Sequence, residues 1–141
     1  MKKLTISMMM ILVVVLAACG GKSEEAPSIV GATWQWQSFE DTAGVNDITV
    51  SNPASYTLTL NDDGTASIQA DCNQVSWPYE LNGSGLTFDS SGPSTLAACG
   101  EDSLDTQYLD YLANTATFVM SDGNLVLNLK ADAGNLVFSP K

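Results

Sequence analysis

From Thr33 onward, apolar and polar side chains alternate with a period of two, the spacing of strands buried on one face. Trp34 and Trp36 share one face of the first such segment, with Gln35 and Gln37 opposite. Tyr56, Leu58 and Leu60 define a second strand, and Asn61-Asp62-Asp63-Gly64 reads as the hairpin turn that follows it. Ala66, Ile68, Ala70 and Cys72 continue one inward face, which aims Cys72 at the core. Trp77, Tyr79 and Leu81 alternate next; Asn82-Gly83-Ser84-Gly85 turns the chain, and Leu86 and Phe88 mark a short strand. Further on come Phe118 and Met120, a Ser121-Asp122-Gly123-Asn124 turn, and Leu125, Leu127 and Leu129. An Ala133-Gly134 turn then leads to Leu136 and Phe138.

One segment breaks this rhythm. Leu104, Tyr108, Tyr111, Leu112 and Thr115 fall on one face at helical spacing, and Asp105, Gln107 and Asp110 fall on the solvent side. Glu101, Asp102 and Asp105 stand near its start, where the helix dipole favours negative charge. About seven short strands and one helix predict a mainly β fold: a small antiparallel β-barrel or curled sheet with the helix packed on it.

The first residues have a different character. Lys2 and Lys3 precede an apolar run from Leu4 to Ala18, too short to span a bilayer, which needs about 20 residues. This is the pattern of a secretory signal peptide over residues 1–18. Its end, Leu16-Ala17-Ala18-Cys19, resembles the lipobox of bacterial lipoproteins, which implies cleavage before Cys19 and lipidation of that residue. Several acyl chains hold a protein durably at a membrane where one does not. Residues 19–28 then form the lipidated Cys and a polar tether, and residues 29–141 the folded domain. By resemblance to lipoprotein sorting, Gly20 after Cys19 implies the outer membrane if the host has one, and otherwise the outer face of the cytoplasmic membrane.

Cys19 being assigned to lipid, Cys72 and Cys99 remain. In an exported chain such a pair is expected to oxidise, closing a loop across a sequence separation of 27. The rival reading, a redox or metal pair, lacks a C-x-x-C spacing and any His to complete a zinc site.

Composition removes other functions. The 141 residues include 16 Asp and Glu, five Lys and Arg, and no His, for a net charge of −11. Loss of Lys2 and Lys3 with the signal leaves three lysines against the same 16 acids, a net charge of −13. Such a chain cannot neutralise a row of phosphates, so no nucleic-acid partner is expected. Without His there is no Ser-His-Asp triad or Cys-His pair. Most acids lie in turns or on the solvent face of the helix, so no catalytic residue, cofactor or metal is expected. Trp34 and Trp36 alternate with Gln and are assigned to the core. Trp77 stands beside Pro78, a signal of an edge strand or bulge, and is the candidate exposed contact.

Asp71-Cys72-Asn73, Trp77-Pro78-Tyr79, Leu86-Thr87-Phe88 and Ser94-Thr95-Leu96-Ala97-Ala98-Cys99 together resemble the META domain, or HslJ-like, family. So do Gly31-Ala32-Thr33-Trp34, Asp122-Gly123-Asn124-Leu125-Val126-Leu127 and Leu136-Val137-Phe138. The resemblance covers roughly residues 29–139, with Asp71 standing where the family usually has Gly. It implies a mainly β fold with one helix, no established enzymatic activity, and association with heat-shock and envelope-stress roles. It also implies Cys72 and Cys99 as a bridge, and Asn73, Tyr79 and Thr95 as residues that satisfy local backbone groups. Two functions follow as expectations. One is a monomeric, non-catalytic lipoprotein whose partners are the membrane and an envelope protein. The other is a small-ligand binder using the barrel interior, which would need a cavity of a few hundred Å³.

Overall fold

The computed structural model describes residues 28–141. The signal peptide, Cys19 and its lipidation, and the tether to residue 27 lie outside the described residues. Nine antiparallel strands and one helix follow in chain order: β1 Thr33–Glu40, β2 Ile48–Thr49, β3 Tyr56–Leu60, β4 Thr65–Ala70, β5 Asn73–Asn82, β6 Gly85–Phe88, α1 Asp105–Ala113, β7 Thr115–Ser121, β8 Asn124–Leu129 and β9 Asn135–Pro140.

Neighbours in sequence pair in space from β3 to β9, and β9 returns to pair with β1. Trp36 lies opposite Phe138, and Trp34 opposite Leu58 on its other side. This closes an eight-stranded barrel, which removes the edges that an open sheet would expose. The two-residue β2 extends β1 beyond the ring, with Phe39 paired to Ile48. Its polar surroundings carry no alternation, so it is the one strand of the nine without a counterpart among the alternating segments; the expectation of about seven is otherwise a slight undercount of the eight in the ring.

The inward faces are largely those the alternation predicts, with Cys72 and Leu81 exposed as exceptions. Trp36, Leu58, Leu60, Ile68, Leu86, Leu125, Leu127, Leu136 and Phe138 are fully buried. Helix α1 closes one end of the barrel through Tyr108 and Leu112. Tyr108 stacks on Trp36 at 5.0 Å between ring centroids and meets Tyr56 edge-on at 5.7 Å. Tyr111 stacks on Phe39 at 4.2 Å. Offset or stacked aromatic pairs of this kind add to the area they bury. Lys130 Nζ donates to Ala113 O at 3.2 Å, placing a cation at the negative end of the helix.

The helix is shorter than its periodicity suggests. Leu104 precedes it, with its amide donating to Tyr56 Oη at 2.9 Å, and Thr115 is the first residue of β7. Thr115 is still fully buried, because the chain turns into a strand without leaving the core.

Candidate functional site

Four of the sequence-predicted site residues, Cys72, Asn73, Thr95 and Cys99, collect around the β4–β5 turn and the segment that leads into α1. That turn consists of Asp71 and Cys72 alone, with Ala70 paired to Asn73. Asp71 adopts φ +55°, the left-handed backbone that a short Asp tolerates better than most residues. Cys72 therefore sits on the turn and is exposed, not buried on the face of β4. The pattern misplaces it because a two-residue turn switches the inward face from Ala66, Ile68 and Ala70 to Asn73, Val75 and Trp77.

Cys72 and Cys99 form a disulfide with Cα atoms 5.4 Å apart. It joins the turn to the segment before α1. Asn73, 3% exposed, organises the same region. Its Nδ2 lies 3.1 Å from Ala97 O, 3.0 Å from Asp105 Oδ2 and 3.2 Å from Cys99 Sγ. Its Oδ1 accepts from Ala97 N at 2.8 Å and from Thr95 Oγ1 at 3.1 Å. Thr95 Oγ1 accepts in turn from Gln74 N at 2.9 Å. Asp105, assigned by periodicity to the solvent side, is half-buried here, drawn in by the Asn73 amide. Its proximity to Cys99 in sequence was the only signal that it belongs to this network.

The backbone of residues 93–95 extends this arrangement. Ser76 N donates to Pro93 O and Thr95 N to Gln74 O, both at 2.9 Å. The segment thereby covers the first half of β5, which β6 does not reach, since the β5–β6 pairing begins at Tyr79.

Trp77 is the clear correction among the candidate contacts: it is 5% exposed, part of the core. Pro78 does lie on the outer face, but the same alternation turns Trp77 inward. Gly92 closes over it, because a Cβ there would lie 2.3 Å from Ser76 O and 3.0 Å from Trp77 Cδ1. Tyr79 lies in the second half of β5, where its hydroxyl donates to Asn61 O at 2.8 Å. It is not part of the disulfide region. Burial, then the charges of Asp62 and Asp63, raise its phenol above the usual value.

Two open grooves flank the helix end. One, of about 330 Å³, runs between Val50, Asn52, Tyr56, Asp71, Cys99 and Glu101. The other, of about 550 Å³, has the Phe39–Tyr111 stack against Asp41, Asp47 and Gln107. The Asp41 carboxyl is held below the usual carboxylate range, chiefly by the Ala43 amide at 3.1 Å. Inside the barrel, Tyr108 Oη and Trp77 Nε1 have no hydrogen-bond partner among the described residues. Burial raises the Tyr108 phenol well above its ordinary value. No group of three or more Cys, Asp or Glu is arranged to hold a metal among the described residues, and none of their helices is long and apolar enough to cross a membrane.

The arrangement offers acidic, partly aromatic surface grooves around a rigid, disulfide-tied scaffold. Two solved structures share its architecture. The NMR structure of a protein from Burkholderia xenovorans is 22% identical, covers 80% of this chain and 83% of its own, and superposes with a TM-score of 0.64. The crystal structure of a DUF4847 family protein from Bacteroides vulgatus is 13% identical, covers 79% of this chain and 93% of its own, with a TM-score of 0.55. At these identities the likeness is one of fold. No curated protein matches the chain. The family model described as META domain matches residues 27–141.

Proposed function

The chain belongs to the META domain family, and from that premise we propose that it is a non-catalytic lipoprotein of the cell envelope. In this reading Cys19 carries the lipid, and the barrel recognises another envelope protein at its surface, in a role tied to envelope stress. The observation that carries the choice of surface over interior is the packing of the barrel. Trp36, Tyr108 and Phe138 are fully buried, with Tyr108 in aromatic contact with both others, where a ligand would have to lie. A small-ligand binder needs that volume free. The signal pattern, the Cys19 box and the net charge of the mature chain support export and favour a cationic face on the partner.

The test is cross-linking and recovery of the acylated protein from its own envelope, beside a soluble form beginning at Ser23. The expected result is a protein partner recovered in stoichiometric yield with the acylated form and lost, or strongly reduced, with the soluble one. Recovery of neither form with any partner overturns the reading.

A further inference from the structure

An aromatic ring is wedged into the surface beside α1. Phe39, the last inward residue of β1, pairs with Ile48 of β2. Its ring stacks on Tyr111 of α1 with centroids 4.2 Å apart. Gly134 lies directly against Phe39, since a Cβ there would come within 2.6 Å of the ring. Trp36 meets Tyr111 edge-on at 6.2 Å. Tyr111 is therefore held from two sides, yet it stays half-buried and lines the groove of about 550 Å³ together with Ile48.

The wall beside that ring is anionic. Asp41 and Asp47 bracket the loop between β1 and β2, and both line the groove. The loop is tied to itself. Asp47 Oδ1 accepts from Asp41 N at 2.8 Å, and the Asp41 carboxylate accepts from Ala43 N, Asn46 N and Asn46 Nδ2. These bonds fix both carboxylates in place and leave Asp47 Oδ2 without a partner among the described residues. The described cations are engaged elsewhere. Lys130 Nζ donates to the Ala113 carbonyl at the end of α1, and Lys141 follows β9 at the far end of the barrel. Burial, then the charge of Asp41, raises the Tyr111 phenol, so the carboxylate is near enough to act on the ring.

An aromatic ring beside carboxylates that lack a counter-ion suits one ligand chemistry. The ring attracts a cation through its quadrupole, and a carboxylate accepts charge-assisted hydrogen bonds from it. Two carboxylates fall short of a metal cage, and no third ligand joins them among the described residues. A guanidinium fits better than an ammonium, because it is planar, stacks on aromatic faces and is more weakly hydrated. We propose that this groove docks an arginine side chain of the partner protein, with the guanidinium against Tyr111 and paired to Asp47. The proposal rests on the surface-recognition reading for its partner and names the group that partner must present. The charge of the mature chain draws cationic surface in from a distance; the groove decides where one side chain is held.

The experiment titrates the mature, oxidised protein in detergent with N-acetylarginine methylamide and follows backbone amide shifts by NMR. The citrulline analogue, of the same shape without the charge, is the control. Arginine is expected to move the amides of residues 41–48 and 107–111 and to leave residues 61–64 and 121–124 in place. Citrulline is expected to move none of them. Asp47→Asn keeps an oxygen for the Asp41 amide and removes one charge, and Tyr111→Leu removes the ring. Each should weaken arginine binding roughly fivefold. Asp122→Asn removes an equal charge in the β7–β8 turn, at the other end of the barrel, and should leave binding unchanged. Shifts spread over every acidic turn, equal binding of citrulline, or undiminished binding in Asp47→Asn would overturn the site. None of these outcomes needs a partner, so the groove fails or holds apart from the surface reading. Repeating the envelope recovery with Asp47→Asn joins the two. A reduced yield of partner is expected, and an undiminished yield overturns the assignment of the partner's arginine to this groove.

Discussion

Asn73 makes its neighbourhood by using both ends of one amide. Its oxygen holds the Ala97 backbone and Thr95, and its nitrogen holds Asp105 and faces Cys99. The residue types that do this were legible as a motif, but the partners were not, because they come from a segment more than 20 positions away. Trp77 is buried for a local reason, since the alternation that puts Pro78 outside turns it inward, and Gly92 then closes over it. At this scale the buried tyrosine makes a measurable claim. Burial keeps the Tyr108 phenol neutral in the fold at pH values where the unfolded chain would ionise it. A folded-state pKa raised above the ordinary 10.0 contributes stability that is fully present below about pH 10 and lost as pH rises beyond it. Burial also raises Tyr79 and Tyr111 and adds to the slope. Urea unfolding between pH 8 and 12 is expected to show constant stability to about pH 10 and a decline above, smaller in Tyr108→Phe. An identical decline in that variant would contradict the assignment to Tyr108.

Strands were read well from alternation because each buries one face against the same core, so Trp34, Trp36, Leu58, Ile68, Leu127 and Phe138 announce themselves. Element ends were read less well. The β4–β5 turn has no Gly, and Asp71 takes the left-handed conformation instead, so Cys72 looked like one more strand residue. Thr115 kept helical spacing but belongs to β7, since both elements bury it. Strand β2 was not legible at all: its two residues are held by pairing to β1, not by a pattern of their own. The disulfide is the link between elements, fastening the β4–β5 hairpin to the approach of α1. Replacing both Cys72 and Cys99 by Ser is expected to lower unfolding free energy by about 3.6 kcal/mol, the chain-entropy effect for a closed loop of this length. Denaturant titration of the oxidised parent and the double variant measures it. Equal midpoints and slopes would show that the bridge contributes no stability.

Across the whole molecule, the barrel has two unlike ends. The chain enters beside Leu60, where Gly31 N donates to Leu60 O, and the hairpin at residues 61–64 lies next to it. Helix α1, the disulfide and both grooves gather at the opposite end, around Glu40, Tyr56, Asp71 and Leu129. An anchor at Cys19 would turn the first end toward the membrane and present the second to a partner. The eight residues from Gly20 to Pro27 reach at most about 28 Å when fully extended. The lipid anchor and the filled barrel interior are both read by mass. The protein is extracted from envelopes in mild detergent and weighed first under native, then under denaturing conditions. The expected protein mass is the same in both, residues 19–141 plus the acyl groups on Cys19, and any further mass in the native spectrum is that of a protein partner. A stoichiometric small molecule lost on denaturation would contradict the filled interior, and a mass lacking acyl groups would contradict the anchor.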